Sequence, residues 1–109
     1  MNLKEMRAKA GNAEALLKAV ANEHRLMILC ELLGGERSVS ELRKAIGLSQ
    51  SALSQHLARL REDELVATRR ESQTIHYSLA STQVRRLIEL MYELFCSPEK
   101  SGKRGKEKP

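Results

Sequence analysis

Apolar side chains recur at intervals of three and four residues through most of the chain, which is the spacing of helices that bury one face. Capping residues and glycines mark where those helices begin and end. The expected helices are a first over residues 3–20, a second between Asn22 and Gly34, a third between Ser38 and Gly47, a fourth beginning at Ser49 and a last from Ser81 to Cys96. Ser38 and Glu41 form a capping box at the start of the third helix.

Two runs of strand-forming residues, 65–70 and 74–79, flank the segment Glu71-Ser72-Gln73 and predict a β-hairpin. The hairpin follows two short helices joined by a tight turn at Gly47, which is the arrangement of a helix-turn-helix. We therefore expect a mainly α fold with a small β-hairpin, in which the hairpin is the wing of a winged helix-turn-helix.

The fourth predicted helix has the composition of a DNA-reading helix. Leu53, Leu57 and Leu60 form an apolar stripe, and the opposite side carries Ser, Gln and Arg instead of the Glu and Lys of an ordinary solvated face. Such side chains suit the major groove, where Gln pairs with adenine and Arg with guanine. A polar surface helix without a DNA partner is the alternative interpretation.

The predicted contacts with double-stranded DNA lie on this helix and at the hairpin tip, where a phosphate backbone or a minor groove would pass. They are Ser49, Gln50, Ser51, Ser54, Gln55, His56, Arg59, Arg69, Arg70, Gln73 and Thr74. For His56, packing between helices is an equal alternative to a phosphate contact.

The first and last helices carry more apolar positions than so small a domain needs for its own core. Leu3, Met6 and Leu17 belong to the first stripe, and Met91 and Phe95 belong to the last one. A two-fold interface would bury the surplus, so we expect a homodimer through these two helices.

The composition places the chain among small cytoplasmic proteins. Its 109 residues fit a single domain, expected over 1–96. No apolar run approaches the ~20 residues of a membrane span, and the N-terminus does not resemble a signal peptide, so no membrane partner is expected. Five basic and two acidic residues lie in 97–109, which we expect to be a disordered basic tail; the body then carries only +2 of the net charge of +5.

The two cysteines, Cys30 and Cys96, fall in different predicted helices. A reducing cytosol disfavours a permanent disulfide, and two small core residues are the plainest interpretation. His24, His56 and His76 lie in three elements without the short spacing of a zinc site, so no metal is expected. Without a Cys-x-x-Cys pair or a cofactor motif, the sequence predicts no cofactor and disfavours a redox enzyme.

Three segments of the sequence together resemble a known protein family. The segment 17–29 (LKAVANEHRLMIL), the helix from Ser49 to Leu60 and the hairpin together resemble the ArsR/SmtB family of winged-helix transcriptional regulators, over roughly residues 13–96. With Cys30 and Cys96 flanking the segment 48–57 (LSQSALSQHL), the chain is similar to the HlyU/BigR/SqrR branch. That resemblance implies a repressor in which reactive sulfur species, such as persulfides, link the two cysteines and alter operator binding.

The resemblance leaves several alternatives open. The link could be a disulfide or a polysulfide, and either cysteine could attack first. An antirepressor that displaces a nucleoid silencing protein, with structural cysteines, would use the same DNA contacts, whereas a pure dimerisation module would use none. One departure from the family concerns the backbone: Gly usually precedes the segment that corresponds to Leu65-Val66, so Asp63 or Glu64 must adopt a positive φ here.

Overall fold

The computed structural model describes residues 1–96, which form five helices and three strands. The helices are α1 (Leu3–Val20), α2 (Glu23–Leu32), α3 (Val39–Ile46), α4 (Gln50–Glu62) and α5 (Thr82–Cys96), and the strands are β1 (Arg37–Ser38), β2 (Val66–Glu71) and β3 (Thr74–Leu79). The predicted winged helix-turn-helix is confirmed, and the predicted basic tail lies outside the described residues. Within 1–96, no helix has the length and apolar character to cross a membrane.

Short polar side chains begin the helices where the sequence predicted them. The side chains of Asn22, Ser49 and Ser81 each accept a backbone N–H from the first turn of α2, α4 and α5, respectively. At α3 the capping box is complete: Glu41 N–H donates to Ser38 Oγ at 3.1 Å, and Ser38 N–H donates to the Glu41 carboxylate at 2.8 Å. Gly47 ends α3 in the left-handed region, at φ 85°, which fixes the tight turn into α4.

The core is centred on α2, which packs against all four other helices and against β3. Its side chains Ile28, Leu29 and Leu32 have no solvent exposure. They meet buried residues from the neighbouring elements, namely Leu42 of α3, Leu53, Leu57 and Leu60 of α4, Val66 of β2, and Val84 and Ile88 of α5.

The burial of α2 extends beyond a single stripe. Ile28, Leu29 and Leu32 are fully buried, and the partly buried Leu26, Cys30 and Leu33 pack against the same core. The reason is that α2 is covered on several sides, so that its apolar residues do not form the single stripe of a surface helix.

The hairpin gains a third strand that the sequence did not predict. β1 pairs with β3 in an antiparallel sheet of order β1-β3-β2, with Ser38 opposite His76. β2 and β3 pair as far as Glu71 opposite Thr74, so the turn is shorter than predicted and begins at Ser72. A strand of two residues is too short to show an alternating pattern, and only its pairing with β3 reveals it.

The exit from α4 uses a strained backbone conformation. Glu64 has a φ of 62°, which confirms that one residue of the Asp63-Glu64 pair takes the left-handed conformation. This turn lets Leu65 N–H donate to the carbonyl of Leu60 at 2.9 Å and directs the chain into β2. A side chain with a Cβ pays roughly 1–2 kcal/mol for that conformation.

Replacing Glu64 by glycine should therefore stabilise the fold. We expect Glu64→Gly to raise the free energy of unfolding by roughly 0.5–1 kcal/mol, because the relief of strain exceeds the extra entropy of glycine in the unfolded chain. Urea denaturation measures the change. The matched control, Glu62→Gly, removes the same charge at the last residue of α4 and should lower the free energy of unfolding by up to about 1 kcal/mol. Equal losses in both variants would contradict a relief of strain at Glu64.

Candidate DNA interface and cysteine pair

The polar face of α4 is exposed over a fully packed apolar face. Leu53 and Leu60 have no solvent exposure and Leu57 has 2%, so the rotation of the helix about its axis is fixed. The opposite side of the helix displays the predicted reading residues, and Gln50, Ser51, Ser54 and Gln55 are all exposed. These four side chains supply hydrogen-bond donors and acceptors on one convex surface, as a major groove requires.

The start of α4 adds a site suited to a phosphate. The first N–H groups of a helix have no partner within the helix and concentrate positive potential. Ser49 Oγ accepts the N–H of Ala52 at 3.2 Å, and Ser49 itself is exposed. A phosphate at this helix end would meet the Ser49 hydroxyl and the free backbone donors together.

Arg59, also predicted to contact DNA, is held within its own helix. Its Nε donates to Asp63 Oδ2 at 2.8 Å, one turn further along α4. The side chain is still 46% exposed, so its remaining guanidinium nitrogens face solvent. The ion pair limits the positions that this guanidinium can take.

The two arginines of the wing have different surroundings. Arg69 donates from Nε and Nη2 to the two carboxylate oxygens of Glu36, at 3.0 and 2.8 Å, and from Nη1 to Glu71 at 3.3 Å. These partners raise the pKa of Arg69, and the hydrogen bond from Arg69 lowers the pKa of Glu36. Arg70 is exposed and has no ion pair among residues 1–96, and Gln73 and Thr74 at the tip are exposed as well.

His56 lies between helices, which is the second of its two predicted alternatives. Its ring packs against that of His24 of α2, with centroids 5.7 Å apart and planes tilted by 45°. Burial lowers the pKa of His56, and the nearby charges of Arg25 and His24 lower it further. The contact turns the imidazole towards α2 rather than towards the Ser and Gln side chains of the exposed face.

The histidine pair does not amount to a metal centre. No group of three or more His, Cys, Asp or Glu side chains within residues 1–96 is arranged to hold a metal ion. Tetrahedral zinc needs three or four protein ligands. The sequence placed His24 and His56 in separate elements, whereas their rings are in contact in the structure. The absence of a metal site in this protein remains a prediction.

Cys30 and Cys96 occupy adjoining helices with different exposure. Both thiols are free; Cys30 is partly buried against the core from α2, and Cys96 is exposed at the end of α5. Burial raises the pKa of Cys30, and the neighbouring Cys96 raises it further. Because α2 packs against α5, the fold brings the two cysteines within electrostatic range of each other.

Sequence reasoning missed two residues of this surface. Glu36 holds Arg69 although the two are 33 positions apart, and His24 meets His56 across two helices. Neither pair has a local spacing that a pattern could show.

Comparison with known proteins gives a consistent result. The model of the bacterial regulatory protein arsR family matches residues 22–68. The transcriptional activator HlyU of Vibrio cholerae is 58% identical over 96 residues, which cover 88% of this chain and 89% of that protein. A biofilm growth-associated repressor of Agrobacterium fabrum is 44% identical over 99 residues, which cover 91% of this chain and 85% of that protein.

Solved structures agree over the same region. Reduced HlyU from Vibrio cholerae superposes with a TM-score of 0.81 at 57% identity, covering 85% of this chain and 98% of that one. The transcriptional repressor BigR from Xylella fastidiosa superposes with a TM-score of 0.83 at 40% identity, covering 88% and 98%, respectively. The likeness therefore extends over more than four fifths of this chain.

The environment of His56 predicts a pH dependence of stability. The folded-state pKa of His56 lies below the ordinary 6.5, so the unfolded chain binds more protons in the window just below that value. The contribution is complete above about pH 6.5 and is lost as the pH falls through the folded pKa. The free energy of unfolding should therefore decrease between about pH 7 and pH 5, above the range in which carboxylates titrate.

Urea denaturation across this pH window checks the prediction. We expect His56→Gln to have a shallower pH dependence than the unmodified protein. The control His76→Gln removes a histidine of the wing and should leave the dependence in place. An identical pH dependence in His56→Gln and the unmodified protein would contradict the assignment.

Proposed function

This chain belongs to the arsR family of bacterial regulatory proteins and is a transcriptional regulator, and we propose that it is a sequence-specific repressor whose operator affinity is switched by a sulfur link between Cys30 and Cys96. The observation that carries the proposal is the exposed Ser and Gln face of α4 above its buried leucine stripe. A rigid helix with short hydrogen-bonding side chains is suited to read base edges.

In the proposed complex, α4 lies in the major groove and its residues have distinct roles. Gln50 and Gln55 have amide groups that match adenine, and Ser51 and Ser54 are able to reach bases or phosphates. Ser49 and the N-terminus of α4 bind a backbone phosphate. The wing contacts the backbone beside the groove through its exposed tip, which includes Gln73 and Thr74.

The active species in this proposal is a homodimer through α1 and α5. Several large apolar side chains are exposed on these helices: Leu3, Met6 and Leu17 on α1, and Leu90, Tyr92 and Phe95 on α5. Within its own chain α1 packs chiefly against α2, and a groove of about 730 Å³ separates it from the start of α5. A second copy would cover these faces and place two α4 helices at half-sites ~34–36 Å apart.

The proposed switch begins at the more accessible thiol. The exposed Cys96 thiolate attacks a polysulfide: a bond forms from Cys96 Sγ to the attacked sulfur, one polysulfide S–S bond breaks, and the leaving fragment takes its electron pair. Cys30 then attacks the modified Cys96 and displaces a second sulfur fragment. The two thiol protons go to solvent, so the protein loses two electrons to the polysulfide. The raised pKa of Cys30 lowers its thiolate fraction, which disfavours Cys30 as the first attacker.

The position of α2 supports a route from this link to DNA. α2 packs against α5 on one side and against α4 on another. A covalent link between α2 and α5 would change how these helices pack and, through α2, the placement of α4. A coupling free energy of about 1–3 kcal/mol changes affinity by 5- to 150-fold, which suffices for regulation.

The names of the relatives supply a second candidate function. The relative that is 58% identical is named a transcriptional activator, whereas BigR is named a repressor. We therefore keep an activator that displaces a nucleoid silencer as the second candidate. Transcription from naked promoter DNA separates the two, since a repressor lowers it and a displacing activator has no effect until a silencer is added.

Substitutions on α4 should reduce sequence preference. We expect Gln55→Ala or Gln50→Ala to weaken binding to a selected operator duplex by roughly 1–3 kcal/mol per lost bidentate contact. Binding to a scrambled duplex should change little. Thr82→Ala, at an exposed polar residue that begins α5 away from α4, is the control and should leave both affinities unchanged. Equal weakening on both duplexes would contradict base reading by this face.

Polysulfide treatment should weaken operator binding by 5- to 150-fold only when both cysteines are present. Intact mass identifies the link, since loss of two hydrogens marks a disulfide and each added sulfur atom marks a longer bridge. Cys30→Ser should stop at a modified Cys96, and Cys96→Ser should not react. Unchanged affinity in a protein whose two cysteines are confirmed as linked would contradict the switch.

A further inference from the structure

Two adjacent basic residues of the wing occupy opposite faces of the sheet. Side chains alternate along a strand, so Arg69 and Arg70 project from opposite sides of β2. Arg69 lies opposite His76, and β1 continues the same row with Ser38. Arg70 lies opposite Ile75, on the face that also bears Tyr77.

The face that bears Arg70 is turned towards α4. Tyr77 lines a groove of about 490 Å³ together with Ser54, Ala58 and Arg61 of α4. In the proposed complex, a DNA backbone that follows α4 towards the wing would pass along this side of the sheet. Arg70 is exposed there and has no ion pair within the described residues, so no intramolecular bond opposes a phosphate contact.

On the other face of the sheet, the guanidinium of Arg69 is already paired with carboxylates. All three guanidinium nitrogens of Arg69 donate to carboxylates, two to Glu36 and one to Glu71. The pair with Glu36 is bidentate and spans the sheet from β2 to the residue directly before β1. To reach a phosphate, Arg69 would have to give up its hydrogen bonds to Glu36 and Glu71 and leave the Glu36 carboxylate without this partner beside the negatively charged DNA, which like-charge repulsion opposes.

We propose that Arg70 supplies the phosphate contact of the wing, and that Arg69 is a positioning residue whose bidentate pair with Glu36 fastens the hairpin to the entrance of the helix-turn-helix. The inference rests on the proposed DNA-binding function and divides roles that the sequence assigned equally to both arginines. Because β1 leads directly into α3, the pair sets the position of the wing relative to the two helices that follow.

The salt dependence of DNA binding separates the two roles. Each phosphate contact releases about one counterion, so the slope of log K against log salt records the number of contacts. With a mixed-sequence duplex of about 30 base pairs, long enough for a dimer, Arg70→Ala should reduce the slope by about one per bound protomer. Arg69→Ala should keep the slope and weaken binding by about 2- to 5-fold at every salt concentration, since an exposed ion pair contributes modestly.

Two further variants test whether the ion pair between Arg69 and Glu36 positions the wing. Glu36→Gln should weaken binding as Arg69→Ala does, although it removes a negative charge close to DNA. The double variant Glu36→Arg with Arg69→Glu restores an ion pair at unchanged net charge and should recover the affinity. Amide hydrogen exchange should show faster exchange in β1 and β3 for Arg69→Ala but not for Arg70→Ala.

Other outcomes would overturn the inference. Tighter binding by Glu36→Gln, a smaller slope for Arg69→Ala, or complete loss of binding by the double variant would show that Arg69 contacts phosphate and that Glu36 masks it. A failure of the unmodified protein to bind any duplex would instead overturn the proposed function. The two failures are therefore distinguishable in one titration series.

Discussion

The burial of one short helix organises this molecule. Ile28, Leu29 and Leu32 of α2 are completely enclosed, and every other helix of residues 1–96 packs against α2. Such a core cannot shift one helix without affecting its neighbours, because protein interiors are close-packed and rearrange in discrete steps. The position of α4, and therefore of the surface that it presents to solvent, is set by its contacts with α2.

This arrangement gives the cysteines a physical connection to DNA. Cys30 is carried by α2, Cys96 by the adjoining α5, and the His24 end of α2 meets His56 of α4. The proposed sulfur link would therefore act on the helix that positions the reading surface. The wing is positioned separately, through the sheet and through the pair between Glu36 and Arg69.

The sequence predicted the structural features that depend on residues close together along the chain. Asn22, Ser38, Ser49 and Ser81 begin helices because a capping side chain acts within three residues of its own position, and the need for a positive φ at Asp63 or Glu64 followed from the missing glycine. The apolar stripe of α4 was equally readable, because only one face of that helix is buried. These features were enough to predict the winged helix-turn-helix and its exposed Ser and Gln face.

The remainder depends on contacts between residues distant in sequence. β1 exists only through its pairing with β3, the buried row of α2 results from packing on several sides, and Arg69 is engaged by a carboxylate 33 residues away. For this reason the sequence grouped Arg59, Arg69 and Arg70 as equivalent cations, whereas the structure gives two of them carboxylate partners. A pattern shows which side chains are available and not which of them are already paired.

Amide hydrogen exchange, compared between the reduced and the sulfur-linked protein, tests the central role of α2 most directly, because exchange reports local opening of each helix. We predict that the link changes the protection of α2 and also of α4 around Leu53 and Leu57, together with the change in operator affinity. A change confined to the residues beside Cys30 and Cys96, with α4 unaltered while operator affinity falls, would contradict it.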